Sequence, residues 1–194
     1  MISRSALVLF ATSLLLLLPC CRDRREEAPE PMELDSVHAP PTGPLFVSKE
    51  GGFSARLPYG FGMPVRETAE VKGGSGRDGL TIYTADAGEH AVMLAYAGAP
   101  DGSGDPKAQL DSAREAALRS IGATLVNEVE LSHQGNPGRS ITLTASTSAG
   151  RTVLGRIDFY LINGRIYQLC YLTPTQEDMA SPDVAGFFGS FALR

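Results

Sequence analysis

Few side chains in this 194-residue chain are of the kinds that do chemistry, and their spacing decides what each could do. His90 follows Asp86 by four positions, and His133 follows Glu130 by three. Neither is a zinc signature, which needs Cys or His ligands paired at short intervals. Both read as surface histidines near strand ends. Cys170 stands in the alternating run Tyr167 to Leu172 with no His or second Cys at catalytic or metal spacing. It reads as a small buried hydrophobe. Asp101-Gly102-Ser103-Gly104-Asp105 offers oxygens at alternate positions, as a calcium loop does. However, Pro106 falls where an EF-hand needs glycine, and Ser112 where it needs a bidentate Glu. The segment reads as a solvated turn ending in a helix cap. Gly73-Gly74-Ser75-Gly76 lacks the Gly-Lys-Ser/Thr of a phosphate loop, and no Gly-x-Ser-x-Gly elbow occurs. Glu128 and Glu130 share a strand face and read as solvated carboxylates rather than a glycosidase pair. No catalytic residue, metal ligand or cofactor is expected, and the chain is not expected to be an enzyme.

The remaining cysteines belong to processing. Met1 to Arg4 is a short positive start, and Ala6 to Leu18 is apolar apart from Thr12 and Ser13. Pro19 and the charges Arg22 to Arg25 stop the run well short of the ~20 residues of a spanning helix. This is the build of a secretory signal. Leu17-Leu18-Pro19-Cys20-Cys21 resembles a bacterial lipoprotein signal, in which a Cys behind a Leu at −3 is lipidated. Cys21 has Leu18 at −3 and is the expected lipidation site. Cys20, with Pro19 directly before it, is the alternative. An ordinary cleaved signal is the bland reading. Residues 22–44 hold five Pro and nine charged residues, too few apolar ones to bury a core, and read as a disordered tether.

The elements that position everything else lie in Leu45 to Arg194. This stretch carries 13 Lys+Arg and 16 Asp+Glu, a balance of −3 that excludes a basic footprint for nucleic acid. Its 150 residues suffice for one buried core. Strand-like runs are Phe53 to Leu57, Leu80 to Ala85, Ala91 to Ala97, Thr124 to Leu131, Arg139 to Ser146, Thr152 to Ile162 and Arg165 to Leu172. Asn163-Gly164 suits a type I′ turn, which puts Ile162 opposite Arg165, Tyr160 opposite Tyr167 and Phe159 opposite Gln168. Ile157, Phe159 and Leu161 then share a face with Ile166 and Cys170, the better candidate for the core. One helix is predicted over Pro106 to Ile121, capped by Asp105 and closed by Gly122. A second opens at Ser181-Pro182-Asp183, with Val184, Phe187, Phe188 and Phe191 as its apolar stripe. The fold class is α+β: a central antiparallel sheet of six to seven strands flanked by two helices.

A resemblance rests on three segments. Gly52-Phe53-Ser54-Ala55-Arg56-Leu57-Pro58 opens the domain, Asn163-Gly164-Arg165-Ile166-Tyr167 forms the late hairpin, and Phe187-Phe188-Gly189-Ser190-Phe191 closes it. This layout resembles the PsbP-like group, which takes in PsbP, the Ran-binding Mog proteins and lipoproteins of the LpqN and DcrB kinds. The resemblance implies a sheet flanked by helices that serves as a non-catalytic binding or assembly module, with no shared catalytic residue to carry over.

Binding would then fall to aromatic side chains. Tyr59 and Phe61 lie in the apolar loop Tyr59 to Pro64, either as interface anchors or folded over the sheet end. Tyr160, Tyr167 and Tyr171 share the second face of the late hairpin, where they either pack under a helix or line a binding surface. The expected function is an exported, lipid-anchored binding module that faces the periplasm or cell surface of a bacterium. Its partner would be an unknown protein of the cell envelope, with no nucleic acid involved. The alternative is a small-ligand carrier or enzyme with a dispersed site in a sheet-helix pocket.

Overall fold

The computed structural model describes residues 43–69, 79–99, 104–147 and 149–194. The expected signal with Cys20 and Cys21, nearly all of the expected tether, the glycine run at 73–76 and residues 101–103 lie outside the described residues.

Ten strands and three helices follow one another among them. They are β1 (Leu45–Ser48), β2 (Phe53–Arg56), β3 (Val65–Ala69), β4 (Leu80–Ala87), β5 (His90–Gly98), α1 (Pro106–Ile121), β6 (Thr124–His133), β7 (Asn136–Ser146), β8 (Thr152–Ile162), β9 (Arg165–Thr173), α2 (Gln176–Met179), α3 (Pro182–Gly189) and β10 (Ala192–Leu193). Seven form an antiparallel sheet in the order β3-β4-β5-β9-β8-β7-β6, and β1-β2-β10 form a small second sheet. The class is α+β, as the pattern of runs predicts.

Local chemistry sets the framework. Asn163 and Gly164 both take positive φ, and the resulting turn pairs Tyr160 with Tyr167 and Phe159 with Gln168, the predicted register. Gln134 and Gly135 do the same between β6 and β7. The connection is thus tighter than the predicted Gln134-to-Gly138 loop, and β7 begins at Asn136. Asp105 accepts a hydrogen bond from the Lys107 N–H at the start of α1, and Gly122 closes the helix in the left-handed region. Ser181 caps α3 by accepting from the Val184 N–H.

Four elements escape the sequence reading: β1, β3, β10 and α2. Each is short, and β3 reads Val-Arg-Glu-Thr-Ala with no apolar alternation. An edge strand buries little, so it has little hydrophobic signal to show.

The core lies on both faces of the large sheet, not on one. On one face Ile141, Leu143, Ile157, Phe159, Ile166 and Cys170 pack with Leu110 and Ala117 of α1. On the other, Val92, Leu94, Tyr96, Tyr167, Leu169 and Tyr171 pack beneath the small sheet and α3. The helix stripe closes this second layer with Val184, Phe187, Phe188 and Phe191, all nearly inaccessible. The face of Ile157, Phe159, Ile166 and Cys170 is core as expected, and of the two alternatives for Tyr160, Tyr167 and Tyr171 the packed one holds, so β8 and β9 bury both faces. Both strands are apolar on alternate and intervening positions alike, the pattern of strands covered on both sides.

Candidate functional site

The five aromatic candidates separate cleanly. Tyr59 is 66% exposed, and its backbone N–H donates to Asp183 Oδ2 at 2.5 Å, which fixes the loop against the start of α3. Phe61, Tyr160, Tyr167 and Tyr171 are buried, and of these Tyr167 also lines the open cavity at the Asn163 turn. Phe61 turns inward, its ring 6.3 Å from that of Tyr171. The tyrosine hydroxyls find internal partners, as buried polar tips must. Tyr167 donates to the Gly51 carbonyl at 3.0 Å, and Tyr171 meets His90 Nδ1 at 3.0 Å. Burial pushes the hydroxyls of Tyr160 and Tyr171 up to about 12. These residues are structural because the small sheet and α3 cover the face they share.

Cys170 lies in the α1-side core, where burial pushes its thiol up to about 12. A neutral thiol without access to solvent is no nucleophile. The histidines depart from the surface reading. His90 stacks on Tyr171, and His133 lies between Tyr160 at 5.3 Å and Phe191 at 5.1 Å. Both are half-buried ring packers.

Two polar clusters went unseen in the sequence. The first joins α1 to the last two strands of the sheet. Arg139, its side chain 6% exposed, binds Asp111 of α1 and Glu128 of β6, the latter at 2.6 Å. Arg114 reaches the same Glu128 at 2.7 Å and Asp111 at 3.2 Å. Glu128 is thus a clamp residue rather than a solvated carboxylate. The hydrogen bond from Arg139 holds the Asp111 carboxyl below its usual range, and neighbouring positive charges add to this against the opposing effect of burial.

The second cluster lies beneath α3. Asp158, 1% exposed, accepts from Ser140 Oγ at 2.6 Å, from Arg156 Nε at 3.0 Å and Nη2 at 2.8 Å, and from Tyr160 at 3.4 Å. Phe188 stacks on the Arg156 guanidinium at 4.1 Å. Ser140 is committed to Asp158, so its hydroxyl is held as a donor and not poised as a nucleophile. The alternate spacing Arg156-x-Asp158-x-Tyr160 was the available signal, since it puts all three on one strand face. Asp111, Glu128 and Arg139 gave none. Only the β6–β7 register and the phase of α1 bring them together.

The exposed large apolar side chains lie on edge strands and on one loop. Val126 and Val129 project from β6, at 63% and 49% exposed. Leu45 and Val47 project from β1, and Tyr59, Met63 and Val65 line the approach to β3. Two open cavities also lie among the described residues. One of about 260 Å³ lies between α1 and the β6–β7 hairpin, and one of about 450 Å³ lies at the Asn163 turn beside Arg165 and Arg194.

No protein-family profile and no curated protein matches the chain. Among solved structures, PsbP of the cyanobacterium Synechocystis (CyanoP) superposes with a TM-score of 0.50 at 12% identity, over 83% of this chain and 99% of that one. The Ran-binding protein Mog1p of Saccharomyces cerevisiae does so with a TM-score of 0.48 at 12% identity, over 77% of this chain and 94% of that one. At such identity the likeness is one of fold.

Proposed function

We propose that the chain is an exported, membrane-tethered, non-catalytic module that works through protein contacts. One observation carries this reading: the accessible apolar side chains collect at strand edges and one loop, while the polar clusters inside are closed on themselves. Exposed Val126, Val129, Tyr59 and Met63 are unfavourable in water and favourable against a partner surface. The Leu18-Pro19-Cys20-Cys21 stretch and the Pro-rich residues 22–44 support a lipid anchor at Cys21 and a tether that carries the module clear of the membrane. The cavity at the Asn163 turn, with two arginines on its wall, favours a small anionic ligand as the second reading.

Two measurements test the first reading. Cys21→Ala is expected to abolish lipid labelling and release the protein from membranes, with Cys20→Ala retaining both. Mild crosslinking of the anchored protein is expected to enrich a discrete protein partner. An unlabelled wild type would remove the anchor, and repeated failure to enrich a protein would remove the binding role.

A further inference from the structure

We propose that the outer edge of β6 docks an extended segment of a partner protein, which adds to the seven-stranded sheet with basic side chains toward α1 and apolar ones toward α3. This rests on the protein-contact reading above and names its surface and its chemistry.

A sheet edge exposes unpaired N–H and C=O groups, and proteins guard such edges with Lys, Pro, bulges or short strands. β3, the opposite edge, is five residues long and carries Arg66 and Glu67. β6 is ten residues long and contains no Lys, Arg or Pro. Its guards are the carboxylates Glu128 and Glu130, which do not repel a cationic strand, and a bulge, where the register with β7 skips Val126 between Leu125 and Asn127. From Asn127 to His133 the pairing is unbroken. Among the described residues that stretch is the open template.

Its side chains specify what fits. Val129 pairs with Ser140 of the α3-side face and stays half exposed. Glu128 and Glu130 pair with Ile141 and Arg139 of the α1-side face. Glu130 lines the cavity of about 260 Å³ together with Asp105 and Leu131. Around this edge five carboxylates (Asp105, Asp111, Glu115, Glu128, Glu130) face four cations (Lys107, Arg114, Arg119, Arg139), which leaves one negative charge in excess, and Glu130 stands exposed at the edge itself. Glu128 is already held by Arg114 and Arg139, so a strand carrying Lys or Arg opposite Glu130, with Val or Ile opposite Val129, satisfies both faces at once. A second copy does not: β6 set antiparallel on itself brings these carboxylates against their own counterparts. An anionic lipid surface meets the same repulsion.

The test uses the full-length chain and an end-blocked, fluorescein-labelled peptide of alternating Lys and Val, with a Glu and Val peptide as control. Anisotropy reads affinity and amide hydrogen exchange reads location. The Lys peptide is expected to bind and to slow exchange within Asn127 to His133, while the Glu peptide does not bind. Glu130→Lys and Val129→Lys, both at exposed positions, are each expected to weaken binding about ten-fold or more while leaving the melting curve in place. Absence of binding, equal binding by both variants, or protection at β1 or β3 instead of β6 overturns the proposal. Failure of the parent reading looks different. A partner crosslinked in the cell while the peptide spares β6 refutes this edge alone. Peptide protection of β6 with no cellular partner supports the edge and refutes the binding role.

Discussion

Replacing Arg139 with Met removes the cation at the centre of the α1–β6–β7 clamp and keeps most of the side-chain volume. Breaking a fully buried ion pair by deleting one partner costs about 3–5 kcal/mol. Here Arg139 is nearly inaccessible, but Asp111 and Glu128 retain side-chain exposures of 35% and 25%, so water takes up part of their charge. Arg114 also stays bound to both carboxylates. The cost falls accordingly to about 2 kcal/mol, or about 4–8 °C in melting temperature for a domain of this size. Urea unfolding followed by circular dichroism at pH 7 measures it. The pH dependence carries a sign. Arg139 lowers the folded Asp111 pKa beneath its ordinary 3.8, so this part of the stabilisation is present above that value. It is lost as pH falls through the lower folded value. The gap between wild type and Arg139→Met is therefore constant from pH 7 to about 5 and narrows below about 4. A variant within about 0.5 kcal/mol of wild type at pH 7, or a gap that persists unchanged to about pH 2.5, refutes the clamp.

Other outcomes follow from packing. A Cβ on Gly155 would lie 2.6 Å from Leu143 Cδ1 and 2.7 Å from Leu172 Cδ2, so Gly155→Ala is expected to cost about 1–3 kcal/mol in denaturant unfolding, and a neutral result would show that both leucines shift freely. Phe187→Ala, at a side chain 1% exposed between α3 and the sheet, is expected to cost about 3–5 kcal/mol by the same measurement. Cys170 is expected to resist a maleimide at pH 7 in the folded chain and to react once urea unfolds it; rapid labelling before unfolding contradicts its burial.

The sequence disclosed what depends on neighbours along the chain. Asn163-Gly164 specified a register because both residues accept positive φ, and Asp105-Pro106 with Gly122 bounded α1 because capping is a local hydrogen-bond problem. Tertiary burial was less legible. The alternation in β8 and β9 showed that Tyr160, Tyr167 and Tyr171 share a face, but not that the small sheet and α3 cover it. That cover depends on β1 and β10, two to four residues long, which hold too few side chains to announce themselves. Tyr59 stayed outside and Phe61 went in because the loop folds over Tyr171, a contact 110 positions away. The Arg139 clamp was hidden for the same reason, since its members come from three elements.

The most direct test of the central claim is a photo-crosslinking amino acid placed at Val129 in the full-length protein in cells, with Arg119 on the exposed face of α1 as the control position. A module that works through protein contacts at the β6 edge gives a discrete protein adduct from position 129 and none from position 119. No protein adduct from position 129, or the same adducts from both positions, would contradict it.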